Sequence, residues 1–122
     1  MCINGIVRLA LVLLLGGATA AYAHALLDHA NPAVGSTVPT APSEVSLTFT
    51  EKVEPAFSTV EVRDATGHRV DQGDLRRDAM NATVMRVSLK PLVPGSYQVI
   101  WRVISVDTHR TEGKFTFHVN RP

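Results

Sequence analysis

The chain has 122 residues, with 12 basic and 11 acidic side chains and a formal net charge of +1. No basic tract runs along it, so nucleic-acid binding has no electrostatic support. Its single cysteine, Cys2, excludes an internal disulfide, a cysteine zinc site and a blue-copper centre.

The first residues read as a secretory signal peptide. Arg8 precedes an apolar run from Leu9 to Leu15, followed by small residues. That run is too short to span a membrane, which takes about 20 residues. Two A-x-A sites compete: Ala18-Thr19-Ala20 would free Ala21, and Ala21-Tyr22-Ala23 would free His24. Cys2 lies inside the signal and away from the end of the apolar run, so it does not read as a lipid-anchor site. Cleavage before His24 would leave 99 residues, with 11 acidic and 11 basic side chains. That is one domain, large enough for its own core and close to neutral. No later apolar run reads as a membrane anchor. The expectation is a soluble, exported protein made of residues 24–122.

His24 to Leu27 reads as a short first strand. Asp28 to Pro42 is rich in turn signals: Asn31-Pro32, Gly35-Ser36, Pro39 and Pro42. Val45, Leu47 and Phe49 then alternate with polar residues, the pattern of a half-buried strand. Glu51 to Pro55 reads as a connection. Val60 and Val62 mark another strand, closed by a turn at Asp64-Ala65-Thr66-Gly67. Val70 to Ala82 reads as an exposed loop holding a short strand, with Arg76, Arg77 and Asp78 on a solvated face. Met85, Val87 and Leu89 alternate again, and a turn follows from Pro91 to Gly95.

Tyr97, Val99, Trp101 and Val103 share one face of the next strand. Ile100 and Ile104 make its other face apolar as well, which predicts a central position in a sheet. The last strand turns Phe115, Phe117 and Val119 inward, and Lys114, Thr116 and His118 outward. No segment sustains a helical period. Strands at this spacing, with Pro and Gly turns, predict an all-β antiparallel sandwich or barrel. The final pair, Tyr97–Val106 and Thr111–Val119, forms a hairpin whose loop carries Asp107-Thr108-His109.

In extended backbone, Asp107 and His109 would point to one face with Cα atoms roughly 7 Å apart, from a rise of about 3.3 Å per residue. A carboxylate and an imidazole so placed can share one metal ion. Alone the pattern is unspecific, because Asp-x-His is common in turns. A mature N-terminal His24 would add two nitrogens from one residue, its amine and its Nδ1. The set of three nitrogens and one oxygen, without sulfur, suits Cu(II) in a square or tetragonal arrangement. The amine has an ordinary pKa of about 7.7–8.0, so binding must displace its proton.

With these residues in view, the sequence from His24 to Val119 resembles the CopC family of periplasmic copper-resistance proteins. The motifs that carry the resemblance are His24-Ala25-Leu26-Leu27, Pro32-Ala33-Val34-Gly35-Ser36 and Leu47-Thr48-Phe49-Thr50-Glu51. The longest runs from Leu92-Val93-Pro94-Gly95-Ser96-Tyr97 through Trp101-Arg102-Val103 to Ser105-Val106-Asp107-Thr108-His109. The resemblance implies an Ig-like Greek-key fold of about seven strands. It implies one Cu(II) per chain, held by His24, Asp107 and His109, with Glu51 as at most an outer ligand. It also favours cleavage between Ala23 and His24. The implied role is Cu(II) sequestration, or delivery to an inner-membrane CopD-like copper importer, with no catalysis.

Two positions depart from the family pattern. Arg110 stands where a proline usually follows the ligand histidine. Only Met80 and Met85 follow the signal, too few for the Met-rich Cu(I) loop of some members. Met85 reads as core and Met80 as exposed loop. His29, His68 and His118 read as surface residues, His29 as one that follows a turn. Tyr97 and Trp101 read as core packing. Two other classes share some of these features: oxygen-activating copper enzymes with an N-terminal histidine chelate, and metal-free Ig-like interaction modules.

Overall fold

The computed structural model describes residues 25–121. The expected signal peptide, both candidate cleavage sites and His24 lie outside the described residues. Two four-stranded sheets pack face to face. The first has the order β1-β3-β6-β5, with β1 Leu27–Asn31, β3 Glu44–Phe49, β5 Arg76–Arg77 and β6 Val84–Ser88. The second has the order β2-β8-β7-β4, with β2 Thr37–Val38, β4 Thr59–Asp64, β7 Gly95–Ile104 and β8 Arg110–Val119. All pairings are antiparallel except β2 with β8. The chain crosses between the sheets several times, as in an Ig-like Greek-key sandwich. The eight strands compare with the about seven expected, and two of them, β2 and β5, are only two residues long. Among the described residues the sole helical element is a single 3₁₀ turn at Pro55–Phe57.

Alternation along the strands builds the core. Val45, Leu47 and Phe49 of β3 and Met85 and Val87 of β6 face Val60 and Val62 of β4, Tyr97, Val99, Trp101 and Val103 of β7, and Phe115, Phe117 and Val119 of β8. Each large apolar side chain so buried stabilises the fold by about 1.5–3 kcal/mol relative to exposure. Phe49 meets Trp101 edge to face across the sandwich, with ring centroids 5.2 Å apart. Trp101 also covers Gly113, its cross-strand partner; a Cβ there would lie 2.6 Å from the indole. The central place expected for the Tyr97 strand holds, because β7 runs between β8 and β4.

Tyr97 does more than fill the core. Its hydroxyl donates to the Val93 carbonyl at 2.5 Å and accepts the Val93 N–H at 3.1 Å, pinning the turn that enters β7. This is the tyrosine corner of Greek-key sandwiches.

Two expectations need correction. The first strand runs from Leu27 to Asn31, so His29 lies within β1 and does not follow a turn; its exposed ring bonds to Asp28 at 2.9 Å. A register shift between Leu27 and His29 breaks the alternation that would have announced this strand. The loop around Val70 is partly interior. The Asp71 carboxylate is fully buried and accepts from the Val62 N–H, the Gly73 N–H and the Arg69 guanidinium. Arg76 and Arg77 are exposed, as expected. They form β5 and pair with Asp74 and Glu44, and with Glu54, while Arg86 joins Glu44 to Asp78.

Candidate metal centre

The β7–β8 hairpin ends in a tight loop. Ile104 and Arg110 are the last ladder pair, and the Ser105 N–H bonds to the His109 carbonyl at 3.0 Å. Inside it the Thr108 N–H bonds back to the Ser105 carbonyl at 2.9 Å, and Thr108 has φ +70°. A turn followed by one left-handed residue is a common three-residue hairpin connection. Glycine usually takes the left-handed position; a β-branched threonine there carries strain.

This turn brings the expected pair together, and not by the extended geometry the spacing suggested. Asp107 Oδ1 lies 3.3 Å from His109 Nδ1, and each side chain is 45% exposed. Ser105, fully buried beneath them, organises the loop. Its hydroxyl donates to Asp107 Oδ1 and accepts the His109 N–H at 3.3 Å. The Ser105 hydrogen bond and the neighbouring His109 imidazole outweigh desolvation and hold the Asp107 carboxyl below the usual range. An anionic oxygen and an imidazole nitrogen therefore converge at an open loop tip, a donor pair that suits a divalent metal without sulfur. Sequence reasoning gave Ser105 no part in this; its position two residues before Asp107 was the available signal.

Residues 51–54 flank the loop. The Val106 N–H bonds to the Lys52 carbonyl at 3.0 Å, the Glu54 N–H to the Ile104 carbonyl at 2.9 Å, and Val53 bridges Ser105. Glu51 begins this flank. Among the described residues no group of three His, Cys, Asp or Glu side chains gathers at any one place. Of the three expected ligands, Asp107 and His109 are brought together here, and His24 lies outside the described residues.

The chain next to His24 is held firmly. Ala25 is fully buried, and its carbonyl accepts a 2.6 Å hydrogen bond from Thr111 Oγ1. Leu26 is fixed from both sides, its N–H to Thr50 Oγ1 at 3.0 Å and its carbonyl to the Thr50 N–H at 2.9 Å. The other histidines stand apart. His68, after the turn at Gly67, bonds to Thr66 Oγ1 at 2.7 Å, and His118, outward on β8, to Ser96 Oγ at 2.8 Å. Met85 is buried and Met80 exposed, as read from the sequence.

Residues 27–120 match the CopC domain. The chain is 36% identical over 99 residues to Protein YobA of Escherichia coli strain K12, covering 80% of each. The crystal structure of CopC from Methylosinus trichosporium OB3b aligns with a TM-score of 0.75 at 36% identity, covering 80% of this chain and 95% of that one. PcoC, a methionine-rich copper resistance protein from Escherichia coli, aligns with a TM-score of 0.72 at 30% identity, covering 80% of this chain and all of that one.

Proposed function

The chain belongs to the CopC family, and from that premise we propose that it is a periplasmic Cu(II)-binding protein of copper resistance and homeostasis. In this reading residues 1–23 are a signal peptide, and residues 24–122 are the working domain. Cleavage after Ala23 exposes His24, whose amine and imidazole join Asp107 and His109 around one Cu(II) per chain.

The observation that carries the reading is the hydrogen bond from Thr111 to Ala25. Thr111 stands two residues after His109, so the bond tethers the segment that follows His24 to the base of the Asp107–His109 loop. The residue that directly follows His24 in the chain is therefore a fixed point of the fold. The donors fit copper: oxygen and nitrogen, no thiolate, and a carboxylate held below the usual range by its Ser105 hydrogen bond. With Met85 in the core and Met80 alone on a loop, no thioether cluster among the described residues favours Cu(I). A carboxylate beside His109 favours holding the metal over activating oxygen.

The half-exposed loop suits a protein that passes its copper on, and the recipient in this reading is a CopD-like inner-membrane importer. The test is intact mass and metal content of the exported protein, with copper competition on Asp107→Ala and His109→Ala. The expected result is a chain starting at His24 with one copper, and at least tenfold weaker binding in each variant. A chain starting at Ala21, or variants with unchanged affinity, would overturn the ligand set.

A further inference from the structure

Beside the metal loop, on the outer face of the β2-β8-β7-β4 sheet, lies a groove of about 410 Å³. Ile104 and Phe57 of the 3₁₀ turn line it, Phe57 being 73% exposed. Arg102, Arg110 and Glu112 are its charged residues. Strand alternation puts Arg102 and Ile104 of β7 and Arg110 and Glu112 of β8 on this outer face, opposite the core. Arg110 directly follows His109, so the groove abuts the loop.

The groove is short of negative charge. Arg102 meets Glu112 only loosely, at 3.5 Å with both side chains exposed, which holds neither firmly. Arg110 is exposed and has no ion-pair partner among the described residues. Two guanidinium groups against one carboxylate leave a net cation. Guanidinium is the side chain best shaped to take a carboxylate with two parallel hydrogen bonds. An exposed aromatic flanked by arginines also has the composition that dominates binding energy at protein interfaces.

We propose that this groove receives a segment of a partner protein that carries carboxylates next to an apolar side chain, and that the partner is the one with which the chain exchanges copper. The apolar group lies on Phe57 and Ile104, and the carboxylates engage Arg102 and Arg110. The identity of the partner rests on the copper-binding reading above; the docking itself does not. A partner so placed has its acidic segment one residue from His109, where its own ligands can reach the loop.

The test uses the copper-free protein beginning at His24 and two capped tripeptides as probes, acetyl-Asp-Phe-Glu-amide and the neutral acetyl-Asn-Phe-Gln-amide, followed by amide chemical shifts. The expected result is shifts at residues 57, 102–104 and 110–112 with the acidic peptide, and at least fivefold weaker binding of the neutral one. Phe57→Ser and Arg102→Glu should each reduce acidic-peptide binding at least fivefold while keeping a dispersed spectrum and unchanged copper affinity. No shifts in the groove, or equal binding of the two peptides, would overturn the proposal. So would concentration-dependent shifts there without peptide, which mean a second copy, or shifts with phosphatidylglycerol vesicles alone, which mean a lipid surface. Peptide binding by a protein that takes up no copper would keep the docking site and overturn the copper-exchange partner.

Discussion

Thr111 Oγ1 donates a 2.6 Å hydrogen bond to the carbonyl oxygen of Ala25, joining residues 86 positions apart in the chain. Ala25 has no exposed surface, so water cannot replace this donor without opening the structure. The bond ties the segment after His24 to the strand that leaves the Asp107–His109 loop.

Thr111→Val keeps the shape and removes the donor. It should cost about 1–3 kcal/mol, the penalty for a buried carbonyl left unsatisfied. Copper affinity should fall more than in a surface control, because the segment beside His24 loses its anchor. Urea unfolding and copper competition on the same variant check both effects. Full affinity at reduced stability would separate the anchor from the site.

Thr108 occupies the left-handed position of the loop at φ +70°. Thr108→Gly should therefore stabilise the copper-free protein by about 1 kcal/mol, the cost a β-branched residue bears there. Equilibrium unfolding measures it. A loss of stability would mean that the hydroxyl of Thr108 outweighs the strain.

Asp71 is the fully buried carboxylate among those held low, and it should contribute to the acid limb of stability. Burial pushes its carboxyl up, but the Arg69 guanidinium and the Val62 and Gly73 amides outweigh burial and hold it below the usual carboxylate range. A carboxyl depressed in the folded state contributes stability that is present above the unfolded value. That contribution is lost as pH falls through the folded one. Asp71→Asn should cost about 2 kcal/mol at neutral pH, less than a fully buried pair because Arg69 is half exposed. It should also flatten the decline of stability below about pH 4. Denaturant midpoints from pH 2 to 7 on both proteins test this, and parallel curves would remove Asp71 from the acid response.

Much of the fold was legible because alternation is a local property. Val45-Leu47-Phe49 and Phe115-Phe117-Val119 announce one buried face each, and Ile100 and Ile104 announce the central strand. What escaped depends on partners far along the chain. The shift in β1 pairing between Leu27 and His29 hides its period, and Asp71 looks like a loop residue until Val62 and Arg69 surround it. At the candidate site the residue types were readable and the backbone was not. Asp107 and His109 meet because Thr108 takes a left-handed turn, whereas the spacing alone suggested an extended strand. Of the supporting groups, Thr111 on Ala25 has no sequence signature and Ser105 beneath the pair has only its place two residues before Asp107, since a serine or threonine hydroxyl gains meaning only from its neighbours.

The most direct test of the central claim is a copper titration, with electron paramagnetic resonance, of two proteins: one beginning at His24 and one with a single glycine ahead of it. The added residue turns the His24 amine into an amide, a poor donor until deprotonated, and leaves the imidazole in place. The strands around Leu47, Val87, Trp101 and Phe117 are untouched, so unfolding midpoints should coincide. The account predicts copper binding at least tenfold weaker in the extended protein, with an altered spectrum. It also predicts that affinity of the His24 protein falls on acidification, as the amine and imidazoles hold their protons. Equal affinities with identical spectra would contradict it, because the terminal amine would then take no part in the site.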